Sequence, residues 1–232
     1  AVPRLERFQL GTDYAVRNWQ TEDGLPQNTV HAILQTRDGC LWLGTYNGLV
    51  RFDGVRFTTF NLGNTPEMGS DSVECLFEDS EGRLWIGTDG RGLSCYHHGA
   101  FTNYFSSDLP GASVVSSITQ DTAGVLWVAT DAGIFRLVSG RLEHYEPAAP
   151  PQELGPVSAL CRDSAGRLWI AAERGVFVLT HDGLRRIPNF ERGTRLCLGP
   201  DGTLWACNEL AGLAHCTATQ TEPQSILSAK QI

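Results

Sequence analysis

Asp79-Ser-Glu-Gly-Arg-Leu-Trp-Ile-Gly-Thr88 combines an acidic turn, a glycine three residues on, and a short apolar strand opened by Leu-Trp. An Asp side chain can take backbone amides two residues on, and glycine accepts the positive φ that reverses the chain. The same pattern recurs on both sides. Tryptophans stand at 42, 85, 127, 169 and 205, spaced by 43, 42, 42 and 36 residues. Each follows a Leu, and each lies three residues after Gly39, Gly82, Gly124, Gly166 or Gly202. Asp38, Asp79, Asp121, Asp163 and Asp201 precede those glycines by one or three positions. A second glycine follows at 48, 92, 133, 175 and 212, and a third at 54, 99, 140 and 183.

Each unit reads as four short strands. In the second unit they are Val73–Glu78, LWIGT at 84–88, LSCY at 93–96 and FTNYF at 101–105. Apolar and β-branched residues dominate, and no helix-length 3.6 period appears. Four antiparallel strands every ~40–45 residues is the blade of a β-propeller. The expected fold is therefore all-β, a propeller of four-stranded antiparallel blades with about five repeats, forming either a closed five-bladed ring or part of a seven-bladed one. A blade cannot bury both faces alone, so the Leu-Trp pair is expected to fill the layer between blades. The units run at about 27–61, 70–105, 112–146, 155–188 and 193–217 within a single domain. Tyr14–Trp19 reads as an outer strand without a blade of its own, able to close the ring. The fifth unit shows three strands, at 194–198, 203–207 and 212–216, and its fourth is not legible.

Composition excludes several classes of function. Acidic residues outnumber basic ones 26 to 18, giving a net charge of −8, and only Lys230 is a lysine. This argues against nucleic acid as a partner and against a polybasic membrane patch. No apolar run approaches the ~20 residues of a membrane span, so direct membrane insertion is not expected. Seven cysteines lack CxxC spacing and lie in apolar strand patterns, where they read as buried thiols. A Cys207–Cys216 bridge is allowed by the hairpin pattern.

The segment Trp19-Gln-Thr-Glu-Asp-Gly-Leu-Pro-Gln-Asn-Thr-Val30, followed by Gln35-Thr-Arg-Asp-Gly39 and Leu41-Trp-Leu-Gly-Thr45, resembles the opening of a two-component regulator propeller. The resemblance covers roughly residues 14–216 and recurs in five units. It implies the extracytoplasmic, periplasmic sensor region of a bacterial receptor. Downstream receptor domains, a membrane helix and a histidine kinase or diguanylate cyclase output are expected partners, with an oligosaccharide or other small ligand and a homodimer also allowed. The family's usual seven blades make this chain the expected front part of a larger ring.

The residues show little chemistry of their own. The Asp in every unit is explained by its turn. No cofactor and no metal site is expected, and no catalytic residue is assigned. No Ser-His-Asp order, HExxH or phosphate-cradling loop is present. The repeated tryptophans read as core, not as sugar platforms. Non-repeating polar residues in the loops before the inner strands are better ligand candidates, because such loops open on the channel mouth. These are Gln27, Asn28, His31, Ser70, Asp71, Glu74, Ser113 and Ser116. Two readings stand beside the sensor: a stand-alone protein-interaction propeller, and an enzyme like streptogramin lyase or a lactonase, in which His31 would serve at the channel.

Overall fold

The computed structural model describes residues 18–104, 112–146, 154–180, 183–187, 195–199, 203–208, 212–216 and 224–227. They form twenty strands in five four-stranded antiparallel sheets. Blade 1 holds β1 (Ala32–Gln35), β2 (Leu41–Thr45), β3 (Gly48–Phe52) and β4 (Phe57–Phe60). Blade 2 holds β5 (Val73–Glu78), β6 (Leu84–Thr88), β7 (Leu93–His97) and β8 (Ala100–Tyr104). Blade 3 holds β9 (Val115–Gln120), β10 (Leu126–Thr130), β11 (Gly133–Val138) and β12 (Arg141–His144). Blade 4 holds β13 (Val157–Arg162), β14 (Leu168–Ala172), β15 (Gly175–Thr180) and β16 (Gly183–Arg186). Blade 5 holds β17 (Arg195–Leu198), β18 (Leu204–Asn208), β19 (Gly212–Cys216) and β20 (Gln224–Leu227). Each sheet is a meander, its strands paired in chain order.

The Leu-Trp pair does what alternation requires. Successive strand residues point to opposite faces, so one member faces the next blade and the other the preceding blade. Trp42 packs with Leu84 and Ile86 of blade 2, and Trp85 with Leu126 and Val128 of blade 3. Trp127 packs with Leu168 and Ile170 of blade 4, and Trp169 with Leu204 and Ala206 of blade 5. The core is therefore four layers between blades, not one central mass. Polar ties add register. Ser116 Oγ donates to the Val157 carbonyl at 2.5 Å, and the Ser80 amide donates to Gln120 Oε1 at 2.9 Å.

The turn aspartates do more than turn the chain. Asp79 is fully buried, and its Oδ1 accepts the amides of Glu81 (2.9 Å) and Arg83 (3.0 Å). Its Oδ2 accepts Arg83 Nε at 2.6 Å and the Trp85 indole N–H at 2.7 Å. Asp163 repeats this with Arg167 (2.6 Å) and Trp169 (2.8 Å). Asp121 holds Trp127 at 2.9 Å; Val125 stands where the arginine would be, and Arg136 covers the indole instead. Blade 1 differs because Asp38 precedes its glycine by one residue. There the Trp42 indole donates to Thr36 Oγ1 at 3.2 Å, and that hydroxyl donates to Asp38 at 2.6 Å. The turn thus also fixes the orientation of the indoles of blades 1 to 4, which the sequence reading assigned to packing alone.

Three expectations need adjusting. Blade 5 has its own fourth strand, β20, which lies beyond the expected unit boundary at 217. Residues 14–17 lie outside the described residues, and Asn18 and Trp19 are not in a strand; Trp19 packs on Phe52 (5.2 Å) and Phe57 (6.0 Å) of blade 1. The register pairs Cys216 with Leu204 and Cys207 with Leu213. Three residues of strand separate the two backbone positions along the hairpin by about 10 Å, beyond the Cα span a disulfide bridges. Packing runs β1 on β5, β5 on β9, β9 on β13 and β13 on β17, with no comparable packing of β17 back onto β1 among the described residues.

Candidate functional site

The inner strands β1, β5, β9 and β13 all begin at one end of the blades, where the hairpins between second and third strands also turn. Backbone bonds fix this end. The Gly48 amide donates to the Asp71 carbonyl at 2.9 Å, and the Gly90 amide to Ser113 at 2.6 Å, each joining one blade's hairpin to the next blade's leading loop. Within blades, Asp89 donates to Ser72 (3.0 Å) and Glu173 to Pro156 (2.9 Å).

The eight sequence candidates separate clearly here. Five are occupied in holding loops. Asn28 Oδ1 accepts the Thr21 amide at 2.9 Å, and Asp71 Oδ1 accepts the Leu62 amide at 2.6 Å. Buried Ser70 accepts the Ser72 amide at 3.2 Å. Ser113 donates both its amide (2.8 Å) and its hydroxyl (2.5 Å) to Asp131. Ser116 ties blade 3 to blade 4. Gln27 is half-buried, and its Oε1 is enclosed without a hydrogen-bond partner.

His31 and Glu74 remain, and the structure gathers them around Tyr46. The His31 and Tyr46 rings lie 3.7 Å apart at 32°, and Tyr46 is 45% exposed. Glu74, with Asp89 contributing, raises the Tyr46 phenol above its ordinary pKa by placing negative charge beside it. Sequence reasoning missed Tyr46. The available signal was positional: the residue after the second strand is Asp89, Asp131 and Glu173 in blades 2–4, and an aromatic only in blade 1. A half-exposed ring, an imidazole and a carboxylate at this end of blades 1 and 2 can stack on a sugar face and bond its hydroxyls.

The far end of the blades carries two clefts. One of about 670 Å³ lies between blades 3 and 4, lined by Asp121, Trp127, Arg167 and Arg185. The other, about 530 Å³, lies between blades 1 and 2, lined by Arg37, Asp38, Arg51 and His98. Asp121, Trp127, Arg167 and Asp38 there already serve the turns and indoles of blades 1, 3 and 4. The non-repeating mouth is the better candidate, because repetition explains the clefts as the gaps between turns. Histidines do not converge: His97 and His98 lie at the far end, and His215 stacks on Trp205 at 5.3 Å. His181 lies outside the described residues. Among the described residues no three His, Cys, Asp or Glu side chains gather as metal ligands, and no helix is long and apolar enough to cross a membrane.

Charge gives these turns a defined response to acid. Burial raises the Asp79 and Asp163 pKa values, but hydrogen bonds from the indoles and arginines outweigh it, so both end below the ordinary carboxylate range. A depressed folded-state pKa contributes stability that is complete above the unfolded value, near 3.9, and is lost as pH falls through the folded value. The thermal midpoint is therefore expected to hold from pH 7 to 5 and to fall below about pH 4. Calorimetry across that range checks this; Asp79→Asn should show a shallower acid slope, and an unchanged slope would contradict the assignment.

The family described as Two component regulator propeller matches residues 24–47, 67–90, 108–132 and 153–174, the leading loop and first two strands of blades 1 to 4. The extracellular domain of the putative hybrid two component system BT3049 from B. thetaiotaomicron is 25% identical, with a TM-score of 0.74 over 89% of this chain and 29% of that one. The corresponding domain of BT4673 from the same organism gives 0.69 over 85% and 30%, at 21% identity. A streptogramin B lyase gives 0.69 over 87% and 69%, at 22% identity. The last two likenesses show the fold alone. The chain spans less than a third of the length of the two receptor domains. No curated protein matches it significantly.

Proposed function

Because this chain is a propeller that carries two component regulator propeller repeats in four consecutive blades, we propose that it is the non-catalytic sensor region of a bacterial signal-transduction receptor. In this reading it lies on the extracytoplasmic, periplasmic side and binds an oligosaccharide at the mouth formed by His31, Tyr46 and Glu74. The observation that carries the reading is the in-phase repeat, supported by the likeness to the BT3049 extracellular domain. At this mouth an exposed aromatic and a carboxylate depart from the repeat. The four packed inter-blade layers make the blades rigid, so a ligand would act by favouring one arrangement of the propeller against the receptor domains that follow. It can signal only if it binds that arrangement better than another.

Titration calorimetry with a panel of neutral and acidic oligosaccharides tests the ligand class. Binding is expected for at least one sugar, and Tyr46→Ala should weaken it by about tenfold, equivalent to ~1.4 kcal/mol. Tyr46 is half-exposed, so the variant should fold. No heat with any sugar would favour a protein-contact role. Turnover of a streptogramin or lactone, lost in His31→Ala, would replace the sensor reading with an enzymatic one.

A further inference from the structure

The inner strands of blades 2, 3 and 4 each carry one extra residue near the end where they begin. Val73 pairs with Thr88 and Cys75 with Gly87, so Glu74 is left out of the ladder. Ser116 is the extra residue of blade 3, between Val115 and Ser117, and Ser158 that of blade 4, between Val157 and Ala159. A β-bulge of this kind re-aims one side chain while its neighbours keep register. His31 holds the same position in blade 1: it precedes Ala32, which pairs with Gly44 as Cys75 pairs with Gly87. A valine stands before this position in all four blades, at 30, 73, 115 and 157, whereas the position itself is His, Glu, Ser and Ser.

The two serines are closed. Ser116 Oγ donates to the Val157 carbonyl at 2.5 Å, and Ser158 Oγ to the Ala171 carbonyl at 3.3 Å. Glu74 cannot close in this way, because an ionised carboxylate has no proton to give a carbonyl. It meets the Tyr46 hydroxyl of blade 1 instead, and Asp89 adds a second negative charge there. The cation that reaches this end of β5, Arg195, acts on Cys75, whose thiol points to the Val115 carbonyl of blade 3. His31 covers the Tyr46 ring, which stays 45% exposed. These groups sit where blades 1 and 2 meet, a boundary described on both sides.

We propose that the bulged position is the selectivity position of this mouth, and that Glu74 there makes it select saccharides that carry an amine. The inference rests on the sugar-binding reading above and specifies it. An ammonium group beside Glu74 and Asp89 donates charge-assisted hydrogen bonds, and the exposed Tyr46 ring adds cation–π attraction. An N-acetyl group in that place offers one neutral donor, and the carboxylate of an acidic sugar is repelled.

Titration calorimetry at pH 7, where amines are protonated, compares three probes of equal length: a glucosamine trimer, its N-acetylated form and a galacturonic acid trimer. The amine form is expected to bind about tenfold more tightly than the N-acetylated form, and the acidic form most weakly. Glu74→Gln, checked for folding by circular dichroism, should bring the amine form to within about twofold of the N-acetylated form and leave the latter's affinity unchanged. An N-acetylated or acidic trimer that binds as tightly as the amine form overturns the inference and leaves the sugar-binding reading standing. A preference that persists in Glu74→Gln overturns it too, because the bulged position is then not its source. Binding of no trimer overturns both.

Discussion

Replacing Asp79 by alanine is expected to lower the unfolding free energy by about 3–5 kcal/mol, the range for breaking a buried charged pair by removing one partner. One carboxylate there serves two backbone amides, the Arg83 guanidinium and the Trp85 indole. Its loss leaves the indole N–H unpaired in the layer between blades 2 and 3, where desolvated donors are costly. Asp38→Ala in blade 1 is the internal control. Asp38 is largely exposed and Thr36 already takes the Trp42 indole, so the expected loss is about 1 kcal/mol. Urea unfolding followed by tryptophan fluorescence measures both. Equal losses at the two positions would show that the aspartates act only as turn formers.

The second large effect concerns how closely blades approach. Gly87, on the second strand of blade 2, faces blade 3, and a Cβ there would meet the Val115 Cγ1 at 2.7 Å and the Val115 carbonyl oxygen at 2.9 Å, with the Cys75 sulfur closer still. Gly87→Val is expected to cost about 3 kcal/mol, the upper part of the overpacking range, because backbone as well as side chain must move. The neighbouring blades show how the site could be relieved. Across the same register pair, blade 2 has Cys75 with Gly87, blade 3 has Ser117 with Ala129, and blade 4 has Ala159 with Ala171. Small residues trade volume across one position. Gly87→Ala should therefore cost less than valine, and adding Cys75→Ala should recover part of the loss, with a coupling of about 1 kcal/mol in a double-mutant cycle. Strict additivity would place the steric conflict on the Val115 backbone alone.

The Cys75 thiol belongs to the same picture. Burial pushes its pKa up to about 12, so it stays protonated and packs as a small apolar group. Cys95 and Cys161 are likewise raised by burial, to about 11. These three thiols fill space between blades, whereas Cys197 and Cys207, expected to be buried from the same apolar pattern, are exposed.

What the sequence determined by itself is everything that depends on local period. Turn aspartates, turn glycines and alternating apolar residues act within a few positions of each other, so blades 1 to 4 and the Leu-Trp layer between them are legible in one dimension. The fourth strand of blade 5, β20, escaped because Thr217–Ile232 carries no repeat; pairing with β19, not its own pattern, makes it a strand. The mouth shows the same division. The sequence named polar residues near the starts of the inner strands, with Glu74 and Ser116 inside strands and not in the loops expected, and only folding showed that Asn28, Ser70, Asp71, Ser113 and Ser116 spend their hydrogen bonds on backbone and turn groups, because those partners lie across loops or in the next blade. Tyr46 was invisible as a candidate because the grouping comes from His31, fifteen positions away, and Glu74 of the following blade. Periodicity writes a propeller's framework into the chain, whereas contacts between blades, which have no period in sequence, decide which polar side chains are left without a structural partner.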